Sequence, residues 1–331
     1  MKTVPVPGVS VVIPVFNEAE NLPTLYEELV ASLQKLGRPF EIILIDDGST
    51  DASWTTLKDI QKKDSRVKLI RLRRNFGQTA ALSAGFDYSA GEIIISLDAD
   101  LQNDPNDIPP LIQKLEDGHD IVSGWRKSRK DRFFSRRLPS IIANRLISWL
   151  MRVRLHDYGC TLKAFRREVI KNIKLYGELH RFIPAIASQL GVSIAEVKVN
   201  HRPRKHGRSK YSFFRFTKVI LDMLTVKFLL SYSTRPLQIF GLLGLGSGLL
   251  GFIIAGWLTY QRLFLGVSLA NRPLLLLGIL LMITGFQFVT LGLLAEIMVR
   301  AYHESAGKTI YAVREIIDSE RNETGPAAPP R

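Results

Sequence analysis

Along the first 125 residues, short apolar runs rich in Val and Ile alternate with stretches whose apolar positions recur at helical spacing. The runs at 9–15, 41–45, 67–72, 92–97 and 120–124 have the length and β-branched content of buried strands. Stretches 19–36, 79–88 and 107–116 predict helices, and Thr50 or Asp51 can cap the one after the second run. Alternation of this size predicts a mostly parallel α/β sheet. Each early run stops in polar groups: Asn17 and Glu18, Asp46 and Asp47, Asn75 and Gln78, Asp98 and Asp100. Ligands bind at the carboxyl ends of strands in open parallel sheets, so the four loops converge on one nucleotide-sized site. One such loop could be a plain turn; four at one edge argue against that.

Farther along, a basic stretch from Lys127 to Arg137 precedes an apolar helix at 141–153, a helical stretch at 179–190 and an added strand at 194–200. A second basic loop occupies 201–210. Segment 213–230 mixes Phe, Val, Ile and Leu with scattered Lys and Arg, the pattern of a helix lying in a membrane interface. Then charge vanishes: 236–260 and 273–295 contain no Asp, Glu, Lys or Arg. As a helix, either run crosses ~30 Å of hydrocarbon, and a soluble core helix is rarely apolar all round for such a length. The linker 261–272 is short, so the runs form a hairpin with both flanks on one side. Lys218, Lys227, Arg235, Arg300, Lys308 and Arg314 on the flanks outnumber Arg262 and Arg272 in the linker, which places the N-terminal domain and both termini in the cytoplasm. The chain therefore divides into an α/β domain (1–211), an interfacial helix (212–234), the transmembrane hairpin (235–298) and a tail (299–331) whose last part, 320–331, reads as disordered. No internal repeat is visible.

The formal charge of +14 suits an anionic membrane, phosphorylated substrates or nucleic acid; the two spans beside a nucleotide-type site exclude nucleic acid as the partner. Cys160 is the one cysteine, so no intrachain disulfide forms, which fits a cytosolic domain. The apolar run after Met1 is short and broken by Pro5, Pro7 and Pro14, unlike a signal peptide. Gly246-Ser-Gly248-Leu-Leu-Gly251 mimics a dinucleotide loop but lies inside the first span, where Gly244 and Gly248 read as a small-residue face for helix packing. The same glycines permit a homo-oligomer. Gly307-Lys308-Thr309 lacks the upstream glycine of a P-loop.

The chemistry concentrates where the fourth run breaks. If the strand continued through it, Asp98, Asp100 and Gln102 would face one way, three hard oxygen donors suited to Mg²⁺ or Mn²⁺ with a substrate diphosphate completing the shell. The bland alternative is a solvated acidic turn, with Asp104-Pro105 capping the next helix.

Taken in order, Val12-Ile-Pro-Val-Phe-Asn17-Glu18, Asp46-Asp47-Gly48-Ser49-Thr50-Asp51, Asn75-Phe-Gly77, Asp98-Ala-Asp100-Leu-Gln102, Gly124-Trp-Arg126, Asp157 with Phe165-Arg166, and Gly207-Arg-Ser209-Lys210 resemble the inverting family 2 glycosyltransferases of the GT-A fold. Within them the chain is similar to the polyprenyl-phosphate hexose synthases, the GtrB-like and dolichol-phosphate mannose synthase-like membrane enzymes. The resemblance covers nearly the whole chain and implies roles. Pro14, Phe16, Glu18 and Asp46 line the base and ribose pocket, with Asp47, Asn75, Gln78 and Asp98 completing the nucleotide-sugar site. Asp98, Asp100 and Gln102 bind Mg²⁺ or Mn²⁺, the last two directly. Arg126, Arg132, Arg136, Arg204 and Lys210 hold the lipid phosphate, while Arg129, Lys130 and Arg137 meet the membrane surface. Asp100 and Asp157 are the catalytic carboxylates.

The implied reaction is attack of a lipid phosphate oxygen on the anomeric carbon as the nucleoside diphosphate departs from the opposite face. A divalent ion stabilises the charge that develops on the leaving group. An acceptor phosphate is already ionised at neutral pH. Asp157 is therefore left to orient the acceptor, to take a residual proton, or simply to pair with a neighbouring Arg or Lys. Segment 157–166 departs from the commoner Ser-Gly-Phe form, which bears on the sugar: UDP-glucose with undecaprenyl phosphate is expected from the two-span layout, with GDP-mannose as the alternative. A processive polysaccharide synthase would need more spans and a Q-x-x-R-W signature, which the sequence lacks. A non-catalytic nucleotide-binding membrane scaffold would have no need of the intact acidic cluster.

Overall fold

The computed structural model describes residues 7–127, 148, 153, 155–173, 175, 179–203, 236–268, 272–304 and 309–318. The chain forms two compact units, one built from Met1–Val226 with Thr309–Arg331 and the other from Lys227–Lys308.

In the first unit, β1 (Val9–Val15), α1 (Leu22–Gln34), β2 (Phe40–Asp46), α2 (Ser53–Lys63), β3 (Val67–Leu72), α3 (Gln78–Tyr88), β4 (Ile93–Ser96), α4 (Ile108–Glu116) and β5 (Ile121–Trp125) follow the expected alternation. Then come β6 (Lys163–Arg166), α5 (Arg167–Lys171), α6 (Ile183–Ala187), β7 (Ile194–Lys198) and, from beyond the second unit, β8 (Val313–Ile317). The sheet order is β7-β5-β6-β4-β1-β2-β3-β8. Strands β4, β1, β2 and β3 are parallel, and β1 and β2 are buried almost residue by residue instead of alternating, because helices cover both faces. Leu22, Leu25, Leu29 and Leu33 of α1 and Ile108, Leu111, Ile112 and Leu115 of α4 are the buried stripes of that cover.

Two strands escape the sequence pattern. β6 is antiparallel to both β4 and β5, and β8 is antiparallel to β3. The stretch expected as one helix at 179–190 breaks into a 3-10 turn (Leu179–Phe182), α6 and a second 3-10 turn (Ser188–Leu190); Pro184 begins the α-helical part, where its missing N–H matters least. Helix α1 begins later than the expected 19, because the Glu18 carbonyl first accepts the Asn21 and Leu22 N–H groups in a turn. The expected helices at 141–153 (residues 148 and 153 apart) and 213–230 and the tail 320–331 lie outside the described residues.

The second unit is a helical hairpin, α7 (Pro236–Leu265) and α8 (Pro273–Glu304). Within it, Phe240–Leu265 and Pro273–Ala295 are long and apolar enough to cross a membrane, and large side chains such as Leu245, Phe252, Phe264 and Phe286 point outward. The helices meet through glycines. A Cβ on Gly244 would lie 2.6 Å from the Gly285 carbonyl oxygen, and one on Gly251 would lie 2.6 Å from that of Gly278.

Candidate active site

Chain direction places the site. β1 runs to β2 on one side and pairs with β4 on the other, so the strand order reverses beside β1, and an open α/β sheet forms its crevice at such a point. Val15, Asp46, Leu72 and Ser96 all end at this edge. β6 begins there, since antiparallel Lys163 sits opposite Ser96.

The four loops at this edge are knitted together. Asn17 takes a left-handed conformation (φ 57°), which Asn tolerates. Its N–H donates to Ser49 Oγ (3.0 Å), and its side-chain oxygen accepts from the Thr50 N–H (2.8 Å). The Glu18 N–H donates to Ser53 Oγ and the Ala19 N–H to Asp51. Gly48, at φ 70°, lets the loop after β2 touch the loop after β3; a Cβ there would lie 2.6 Å from Arg74 C and Asn75 N. Asp47 then accepts the N–H groups of Phe76 (2.7 Å) and Gly77 (2.9 Å). Burial raises its pKa against these two bonds. Finally, the Gln78 side-chain amide donates to Asp98 Oδ1 (2.7 Å). Pro14 is half-buried opposite Ile45, Phe16 is half-buried, and Asn75 is exposed. Glu18 accepts from the Asn21 amide (2.5 Å). Asp46 is fully buried; its Oδ1 accepts from the Ser49 N–H, while Oδ2 lies 3.3 Å from Arg71 Nε and makes no hydrogen bond.

The acidic cluster is a turn, which corrects the period-two argument: β4 ends at Ser96, and Leu101 has φ 59°. Proximity survives the correction. Burial, then repulsion from Asp100, pushes the Asp98 pKa up to about 6, against the Thr161 hydroxyl, Arg126 and Lys163, which favour its ionised form. Asp100 is buried, and its Oδ1 accepts from the Gln102 N–H (3.2 Å). Gln102 in turn accepts the Arg202 N–H (2.9 Å), and the Arg202 guanidinium pairs with Glu28 and Asp104. Asp104 caps a 3-10 turn (Pro105–Asp107) ahead of α4, on the Asn106 N–H (3.0 Å), instead of the expected helix itself. Two carboxylates and an amide oxygen on one buried turn are the hard donors that Mg²⁺ or Mn²⁺ takes with phosphate and water. Among the described residues no larger His, Cys, Asp and Glu cluster exists.

On the far side of β4, Arg126 forks onto Asp157, Nε to Oδ2 at 2.7 Å and Nη2 to Oδ1 at 3.0 Å. Of the three roles left open for Asp157, the structure displays the ion pair. Glu196 accepts the His156 and Asp157 N–H groups, fixing this loop to β7, and His156 stacks on Trp125 (4.2 Å). Arg132, Arg136, Arg204 and Lys210 lie outside the described residues, as do Arg129, Lys130 and Arg137.

Sequence reasoning missed the inner wall. Lys163 is 3 % exposed, and its ammonium donates to the Cys160 carbonyl and to that of Tyr158; burial pulls its pKa below the ordinary lysine value. His180 Nδ1 bonds Thr79 Oγ1 (2.7 Å). Together with Ser96, Asp98 and Thr161, these two residues line a small cavity. The available signal was one lysine between Leu162 and Ala164, a lone charge in an apolar run.

Three comparisons bear on this geometry. The description Glycosyl transferase family 2 matches residues 10–174. The chain is 43% identical over 315 residues to the dodecaprenyl-phosphate galacturonate synthase of Rhizobium johnstonii, covering 94% of this chain and 93% of that one. It is 38% identical over 319 residues to the undecaprenyl-phosphate 4-deoxy-4-formamido-L-arabinose transferase of Pseudomonas paraeruginosa, covering 96% and 92%. Among solved structures, glucosyl-3-phosphoglycerate synthase from Mycobacterium tuberculosis, in complex with Mn²⁺, uridine diphosphate and phosphoglyceric acid, is similar in fold (TM-score 0.55, 18% identity, 69% of this chain and 81% of that one).

Proposed function

From the premise that the chain belongs to glycosyltransferase family 2, we propose that it transfers a sugar from a nucleotide sugar to a polyprenyl phosphate, with inversion at the anomeric carbon. The observation that carries this reading is the acidic turn at the reversal point of the sheet, in a chain that also bears an apolar hairpin. Similarity to two enzymes named for polyprenyl-phosphate acceptors supports it over more than nine-tenths of the chain.

Pro14, Phe16, Glu18 and Asp46 would take the base and ribose, and the buried Oδ2 of Asp46, ion-paired with Arg71 but without a hydrogen bond, is an acceptor for a nucleoside N–H or hydroxyl. Asp47, Asn75 and Gln78 shape the loop on which Asp98 depends. A divalent cation, Mg²⁺ or Mn²⁺, would be held by Asp100 and Gln102 with Asp98 beside them; once bound it neutralises charge developing on the departing diphosphate. Arg126 grips the acceptor phosphate, joined by Arg132, Arg136, Arg204 and Lys210. In a bidentate fork Asp157 is a poor base, and an ionised phosphate needs none, so Asp157 acts by aiming Arg126.

The two-span layout led to UDP-glucose as the expected donor. The relatives are named for galacturonate and 4-deoxy-4-formamido-L-arabinose, and this favours a donor whose sugar is oxidised or amino-substituted, with uridine kept as the expected nucleotide. The reaction would occur at the cytoplasmic membrane face, with both termini cytoplasmic.

Membranes containing the protein, given a radiolabelled nucleotide sugar, Mn²⁺ and polyprenyl phosphate, should yield chloroform-soluble label. Failure across a donor panel would sink the reading, and nucleotide binding without lipid product would favour the scaffold alternative.

A further inference from the structure

We propose that Lys163 selects a donor whose sugar carries a carboxylate, a hexuronic acid in place of a neutral hexose. The proposal rests on the reading above, in which the donor binds at Asp98. Lys163 opens β6 opposite Ser96 at the site edge and faces the cavity shared with Asp98, Thr161 and His180. The cavity has room for little more than a water-sized group, the size of one carboxylate oxygen.

An ammonium carries three donors and no acceptor. The Lys163 contacts go to two neutral backbone carbonyls, and among the described residues no carboxylate lies within ion-pairing distance of it. Burying a cation on those terms is unfavourable, and an incoming anion would complete its pairing. The other charges near it are Arg126, which Asp157 already forks, and the carboxylates of Asp157 and Asp98, neither of which ion-pairs with the Lys163 ammonium. An incoming carboxylate would set charge against charge at the ammonium, which a hydroxyl cannot do. A neutral hexose would leave the buried cation as it stands, and sites built around a polar partner discriminate strongly against ligands that lack it. The relative that is 43% identical, named for galacturonate, is consistent with this choice.

The test uses the full-length protein in detergent with polyprenyl phosphate and Mn²⁺, given UDP-galacturonate, UDP-glucuronate, UDP-galactose and UDP-glucose. The wild type should favour at least one uronate over its neutral counterpart by on the order of 10²-fold in kcat/KM. Lys163→Met should shrink that ratio by about tenfold or more, whereas Lys163→Arg should keep most of it. Preference for a neutral donor by the wild type overturns the proposal, and so does an equal loss on both donor classes in Lys163→Met, the mark of a residue that only staples the Tyr158–Cys160 loop. Should Lys163→Met not fold, the wild-type ratio and the Lys163→Gln ratio decide in the same way. Transfer from neutral donors alone would leave the glycosyltransferase reading standing and remove this one; no lipid product from either uronate would also remove this one, and the glycosyltransferase reading falls only if an amino-substituted donor fails as well.

Discussion

Asp98 is held ionised at neutral pH against its surroundings, since burial and Asp100 raise its pKa to about 6. A carboxylate whose folded pKa exceeds the unfolded value binds protons more readily in the native state, so its contribution to stability falls as pH rises from about 4 through about 6. Asp98→Asn should therefore stabilise the fold at pH 7 by on the order of 2–3 kcal/mol, raising the melting temperature, while weakening donor and metal binding. Unchanged or lowered stability in a thermal melt would contradict the assigned cause. In the wild type, Mn²⁺ affinity measured by calorimetry should weaken as pH drops below about 6. Asp100→Ala should abolish both Mn²⁺ binding and transfer; near-normal turnover with unchanged metal dependence would refute its role. Asp157→Asn breaks the fork on Arg126 and should mainly raise the KM for lipid phosphate, by roughly tenfold or more. A shift confined to kcat, with a new basic limb in the pH profile, would restore Asp157 as a base.

Elements that join in antiparallel fashion tie the site to distant sequence. β8 is such an element. It covers the β3 edge, and Tyr311 just before it donates its hydroxyl to Asp87 of α3 (2.7 Å). Burial raises the pKa of both groups. The strand thus braces β3 and α3, between which the Asp47-bound loop runs. Tyr311→Phe should cost about 1 kcal/mol, because a half-buried carboxylate loses a donor; a thermal melt within a degree of wild type would show the bond to be incidental. β6 supplies Lys163 to the site, and the short helical pieces after it supply His180. In the hairpin, Gly251→Leu would force a side chain against the Gly278 carbonyl and should lower folded yield in detergent, whereas the same change at Gly256, which faces open space, should not.

At the scale of the whole molecule, the chain leaves the α/β unit, makes the hairpin and returns to the same unit as β8. If the hairpin crosses a membrane, both its flanks would therefore lie on one side, a proposal independent of the count of basic residues. The lone Cys160 is buried, so single cysteines placed at Ser268 and near the C-terminus can be labelled selectively. An impermeant thiol reagent applied to intact cells should reach the first and not the second; the reverse pattern would invert the proposed orientation. The sequence by itself determined the parallel core, the loops that converge at its edge and the hairpin, because these follow from local periodicity and from the absence of charge over long runs. It also marked Asp98, Asp100 and Gln102, although by a strand argument that the turn at Leu101 replaces. Only the tertiary structure decided that Arg126 is forked by Asp157, that Val313–Ile317 completes the sheet, and that Lys163, Thr161 and His180 stand behind Asp98. Such pairings join residues far apart in the chain. They arise when antiparallel strands and buried charges find partners in three dimensions, and no repeat along the chain encodes which partner that will be.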